Sequence, residues 1–169
     1  MKKRLKKKLA KNKEKRKEEI FQYAAYGDLE KIKKLLNSGM DIDIKDQGEY
    51  TMLHWATQEG HFEVIKFLIL AGANIHLKDE EGFTPLYIAA GSGYIEIVEW
   101  LIENGANIEV KSNDGVTPLI IACCYDHKKV VELLLENGAN KNTKDDDDKT
   151  ALFYAEEYGN KEIANLLKN

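Results

Sequence analysis

Thr84-Pro85-Leu86-Tyr87-Ile88-Ala89-Ala90 is followed, 33 positions later, by Thr117-Pro118-Leu119-Ile120-Ile121-Ala122. The same spacing extends in both directions. Thr51, Thr84, Thr117 and Thr150 share one column, Leu53, Leu86, Leu119 and Leu152 a second, and Ala56, Ala89, Ala122 and Ala155 a third. Gly72-Ala73, Gly105-Ala106 and Gly138-Ala139 recur in phase, each followed by Asn. Gly27, Gly60, Gly93 and Gly159 form a further column, in which Asp126 fills the remaining place. A fixed period of this length marks stacked supersecondary units and has to be recognised before any other element is assigned.

Each column has a physical reading. Thr is a good helix N-cap, Pro85 and Pro118 suit the first turn, and Ala permits close packing. The column of Gly60 and Gly93 predicts a left-handed residue ending that helix, a conformation that Asp126 tolerates. A second helix follows, with apolar residues at helical spacing such as Ile97, Val98, Leu101 and Ile102, and Gly105 stops it. The polar stretch from Asn107 to Gly115 predicts a hairpin-like turn into the next unit.

These units closely resemble the ankyrin repeat signature, and the resemblance covers roughly residues 20–169. It implies an all-α solenoid of about five repeats: 20–45 as N-terminal cap, 46–78, 79–111 and 112–144 as inner repeats, and 145–169 as C-terminal cap. Residues 1–19 are expected to form a separate basic arm, disordered or a helical extension. Met52 and Ala151 replace the usual proline, and Glu49 and Asp148 stand where Gly82 and Gly115 stand in the middle repeats. The first unit lacks the Thr-Pro-Leu start. Irregular end repeats are expected, because each end presents one face to water.

Composition is consistent with one domain: 169 residues, 43% hydrophobic and 32% charged. Charge is unevenly spread. Residues 1–19 hold eleven Lys or Arg against Glu14, Glu18 and Glu19, a balance of +8 that leaves −12 for the remaining 150 residues of a chain at −4. No apolar run is long enough to span a bilayer or to serve as a secretory h-region, so the expected compartment is the cytoplasm, or the nucleus in a eukaryote. The adjacent Cys123 and Cys124 cannot supply a disulfide framework or close a structural zinc site.

The resemblance implies binding of a partner protein through hairpin tips and the inner face of the first helices. In the tip column stand Tyr50, Phe83, Val116 and Lys149. The inner-face pairs are Ala25-Tyr26, Gln58-Glu59, Gly91-Ser92, Cys124-Tyr125 and Glu157-Tyr158. The candidate binding residues are therefore Tyr26, Tyr50, Gln58, Glu59, Glu81, Phe83, Ser92, Val116, Cys124 and Tyr125, because aromatics at surface positions are the usual interface anchors. The rim of Glu59, Glu80, Glu81 and Asp114 favours a partner with a basic face. A monomer is expected, acting as adaptor, scaffold or inhibitor without catalysis or cofactor. The rival reading is nucleic-acid or anionic-membrane binding through residues 1–17; no aromatics interleave with its lysines, which disfavours single-strand stacking.

Other residues have plainer readings. His54 belongs to the Thr-x-Leu-His start, where it resembles a residue that ties adjacent hairpins; His61 and His127 begin second helices, and His76 lies in a connection. None has a partner at metal-ligand spacing. Cys123 takes the small packed column and Cys124 a more exposed one, where a redox-sensitive contact is the alternative to a plain surface thiol. Trp55 and Trp100 sit in apolar helical columns and are expected in the core. Asp145-Asp146-Asp147-Asp148-Lys149 reads as a charged hairpin tip. It also looks like the recognition sequence of enteropeptidase, predicting cleavage after Lys149. The oxygen spacing, central Gly and terminal Glu of a calcium loop are missing.

Overall fold

The computed structural model describes residues 18–168; residues 1–17 of the arm expected over 1–19 lie outside them, and Glu18 and Glu19 fall in the first helix. Two compact units divide the chain, Met1–Ala73 and Asn74–Asn169. In each, short helices come in pairs joined by tight turns.

In the first unit, α1 is helical over 18–25, α2 spans Leu29–Asn37, α3 Met52–Gln58 and α4 Phe62–Leu70. Ile20, Ala24, Ile32, Leu53, Ile65 and Leu68 are buried between them. Thr51 caps α3 by accepting the His54 amide, and the His54 ring returns the contact, its Nδ1 3.2 Å from the Thr51 nitrogen. His61, at the N-cap of α4, places Nε2 2.8 Å from the Ala25 carbonyl at the end of α1.

The second unit holds three pairs: α5 (Pro85–Ser92) with α6 (Ile95–Glu103), α7 (Pro118–Cys124) with α8 (Lys128–Glu136), and α9 (Ala151–Glu157) with α10 (Lys161–Lys168). The first helices stack in the order α5, α7, α9 and the second in the order α6, α8, α10. Thr84, Thr117 and Thr150 accept the amides of Tyr87, Ile120 and Phe153, as the Thr column predicted. Leu86, Ala89, Val98, Leu101, Leu119 and Leu134 fill the core, and Ile102 is half-buried. Gly93 and Asp126 both end first helices at positive φ, 74° and 59°.

The hairpins are locked to one another in steps of one repeat. Lys78 Nζ donates to the Lys111 carbonyl and Lys111 Nζ to the Lys144 carbonyl, each at 2.7 Å. The amides of Asn113 and Asp146 donate to the carbonyls of Glu81 and Asp114. Gly82 and Gly115 are required there twice over. Both have positive φ, and a Cβ on either would lie 2.7 Å from the backbone nitrogen of the next hairpin. Glu49 and Asp148 adopt the same left-handed conformation at φ 61°.

The expectation for the tryptophans needs correcting. Trp55 and Trp100 are half-buried. Trp55 turns its Nε1 to Asp46 Oδ2 at 2.8 Å, a polar anchor that keeps one edge of the indole at its hairpin.

Candidate partner-binding surface

In the first unit the inner-face residues are open. Tyr26 is 79% exposed, and Gln58 and Glu59 are exposed beside it. A groove of about 390 Å³ runs among Phe21, Gln22, Ala25, Tyr26, Trp55 and Glu59. Tyr50 is half-buried, its ring 5.3 Å from Trp55 and 5.4 Å from His54. The tip residue is thus as much a brace for its hairpin as a surface.

The second unit shows the same division. Phe83 is half-buried and stacks on Tyr87 at 4.3 Å with rings 6° from parallel, and Val116 is half-buried. Glu81 is exposed; Ser92, in the last turn of α5, is half-buried. Tyr125 is 63% exposed over the Gly91 position, where a Cβ would touch its ring and Ile121. Cys124 is half-buried and Cys123 buried. Burial pushes the Cys123 thiol up to about 12 and the Cys124 thiol up to about 11, the latter with help from the Asp145 and Glu157 carboxylates. Thiols so placed are almost wholly protonated at neutral pH and poor nucleophiles.

Beyond Tyr125 lies an aromatic group of which the sequence placed only Tyr158 in an inner-face pair, and none among the candidate binding residues. Phe153, Tyr154 and Tyr158 pack as neighbours, with centroids 5.5 Å apart for the first pair and 6.2 Å for the second. Tyr158 is 59% exposed and stands in the column of Tyr26 and Tyr125, where the register had put it without making it a candidate. Tyr154 donates its hydroxyl to Asp145 Oδ2 at 2.6 Å, and the amides of Asp147 and Lys149 donate to Oδ1. Burial by itself would raise the Asp145 carboxyl, but these hydrogen bonds and the Lys149 charge hold it below the usual carboxylate range. The bond to Asp145, followed by burial, raises the Tyr154 hydroxyl well above its ordinary value.

His127 repeats in the second unit what His61 does in the first. Its Nε2 lies 2.9 Å from the Gly91 carbonyl, and its ring fills the space beside Gly93, where a Cβ would meet Nδ1 at 2.6 Å. These histidines are interlocks between repeats. Among the described residues there is no group of three or more His, Cys, Asp or Glu that could hold a metal ion.

A family model described as ankyrin repeats in three copies matches residues 20–112 and again 105–169. The chain belongs to the ankyrin-repeat family. The helix pairs, threonine caps and interlocked hairpins described above are the physical content of that assignment. Ankyrin repeats are generally protein–protein interaction modules and are typically non-catalytic. No curated protein matched the chain. Among the described residues no helix is long and apolar enough to cross a membrane.

Proposed function

We propose that the chain is a non-catalytic protein-interaction module, an adaptor, scaffold or inhibitor, that acts as a monomer and binds its partner through hairpin tips and the inner face of its first helices. One observation carries this reading. The column of positions 26, 59, 92, 125 and 158 holds tyrosine three times, and each of Tyr26, Tyr125 and Tyr158 is more than half exposed. Tyrosine offers a large contact area with few rotatable bonds, which is why it is frequent at hot spots. In the first unit Gln58 and Glu59 accompany Tyr26, with Tyr50 partly buried behind them; in the second Glu81, Ser92 and Cys124 accompany Tyr125 and Tyr158, with Phe83 and Val116 partly buried behind them. Binding by preformed rungs of this kind needs little rearrangement.

The test is capture of a partner by the full chain and by a truncation beginning at Glu18, each at low and at high salt. Retention by both at high salt, lost on Tyr26→Ala and Tyr125→Ala, supports the repeat surface. Binding that disappears with residues 1–17 or with salt moves the function to the arm, and with it to nucleic acid or an anionic membrane.

A further inference from the structure

The groove of the first unit has an apolar lining and an acidic edge. Phe21, Ala25, Tyr26 and Trp55 surround about 390 Å³ together with Gln22 and the exposed Glu59. Charge in this unit is segregated. The first helices α1 and α3 carry Glu18 and Glu19 and no lysine or arginine. Lysines stand on the second helices, where Lys31 pairs with Asp28 at 2.7 Å, Lys33 with Glu30 at 3.0 Å and Lys66 with Glu63 at 3.9 Å. Glu59 makes no ion pair among the described residues.

A segment of matching chemistry is tethered next to this groove. Residues 1–17 stand outside the described structure and join it at Glu18, where α1 begins. Eleven of them are Lys or Arg, against Glu14 alone. Their apolar residues are Met1, Leu5, Leu9 and Ala10, and the first three are spaced by four, which one helical face would bring to one side. The tether is long enough to return. The eight residues of α1 measure about 12 Å, whereas residues 10–17 span up to about 26–29 Å when extended. Leu5 and Leu9 can therefore reach back over Phe21, Ala25 and Tyr26, with chain left for a turn.

Resting on the interaction-module reading, we propose that residues 1–17 dock on their own first unit, with Leu5 and Leu9 in this groove and lysines beside Glu59, so that a partner reaching Tyr26 must first displace them. Weak contacts suffice for a tethered ligand. A short flexible tether gives an effective concentration of about a millimolar, so a contact of about millimolar affinity keeps the groove closed about half of the time. An untethered segment of the same chemistry would have to be present at that concentration to compete. Apolar burial of the two leucines supplies the seat, and opposite charge orients the segment on it.

Acrylamide quenching of Trp55, read in a Trp100→Phe chain, reports on the groove without any partner. The full chain is expected to be quenched less than a truncation beginning at Glu18. Leu5→Ser with Leu9→Ser should raise quenching of the full chain to the truncated level, and neither position belongs to the described helices. A benzophenone side chain in place of Leu5 should cross-link, within one copy, to residues 21–26 or 55–59. Equal quenching of the three chains overturns the proposal, as do cross-links that fall elsewhere or only between copies. Partner capture then separates the two levels. With the arm docked, truncation or the leucine pair should tighten partner binding about twofold or more, and equal affinity overturns the displacement step. A partner captured without any quenching difference overturns the docked arm and leaves the interaction-module reading standing. A quenching difference with no partner captured by either chain overturns that reading, and with it the displacement.

Discussion

Glu49, Asp126 and Asp148 each hold a left-handed backbone that glycine occupies at the matching place in other repeats. A side chain there costs energy, less for Asp than for Glu. Glu49→Gly should raise stability by about 1 kcal/mol and Asp126→Gly by about 0.5 kcal/mol, read as denaturant midpoints. Gly93→Ala should do the opposite, because the new Cβ meets the His127 ring. Asp126 escapes that contact because Asn160 replaces histidine in the next repeat and bonds the Cys123 carbonyl instead.

A second residue-scale device is visible by comparing repeats. Asp46 and Asp145 use Oδ2 to accept from Trp55 and Tyr154, nine positions on. In the repeat of Asp79 that position is Ile88, and Asp79 Oδ2 is buried with no hydrogen-bond partner among the described residues. Ser112 makes the same two turn bonds with a hydroxyl alone. Asp79→Ser should therefore leave stability unchanged or raise it by up to about 1 kcal/mol, since an unsatisfied buried acceptor costs about 1–3 kcal/mol. A loss above that size in thermal or denaturant unfolding would show the carboxylate to be needed.

At the scale of elements, the turn from Asp145 to Lys149 illustrates how a charged loop becomes rigid. Asp145 is 8% exposed and receives three hydrogen bonds, and Thr150 immediately caps α9. The Lys149–Thr150 bond is thereby held in a closed hairpin instead of an extended strand that a protease could bind. Enteropeptidase should cut there only after local opening. Tyr154→Phe should cost about 1.5–3 kcal/mol, the usual worth of a hydrogen bond to a charged group, and should speed that cleavage.

The pH dependence of this pair has two sides. The Asp145 carboxyl is lowered in the folded state, so its contribution is complete above the unfolded value of about 3.9 and lost as pH falls through the folded one. The Tyr154 hydroxyl is raised, so its contribution is complete below about 10 and lost as pH rises. The stability difference between the parent chain and Tyr154→Phe should form a plateau between those limits and shrink outside it. A difference that stays flat through both ends would show that the pair is not coupled to folding.

At the scale of the molecule, charge separates a basic arm from an acidic body, +8 against −12. A partner held by the repeat surface should lose about 1–3 kcal/mol of affinity on Tyr125→Ala, with stability changed by less than about 0.5 kcal/mol, because the side chain is 63% exposed. Its affinity should also fall only modestly between low and high salt. A steep decline, linear in the logarithm of salt concentration, would instead report phosphate contacts made by the arm.

The sequence by itself determined the repeat, the helix pairs, the threonine caps and the left-handed column including Asp126, because each depends on local backbone chemistry recurring at 33 residues. It also named Tyr26 and Tyr125 as surface residues, since register alone places them on an outward column. Only tertiary structure decided how far Tyr50 and Phe83 lean back on Trp55 and Tyr87, that Trp55 and Trp100 are half-buried, and that Asp145 is the buried member of an acidic run. Those outcomes depend on which side chain the neighbouring hairpin or helix presents, and a column read along one chain does not contain that contact.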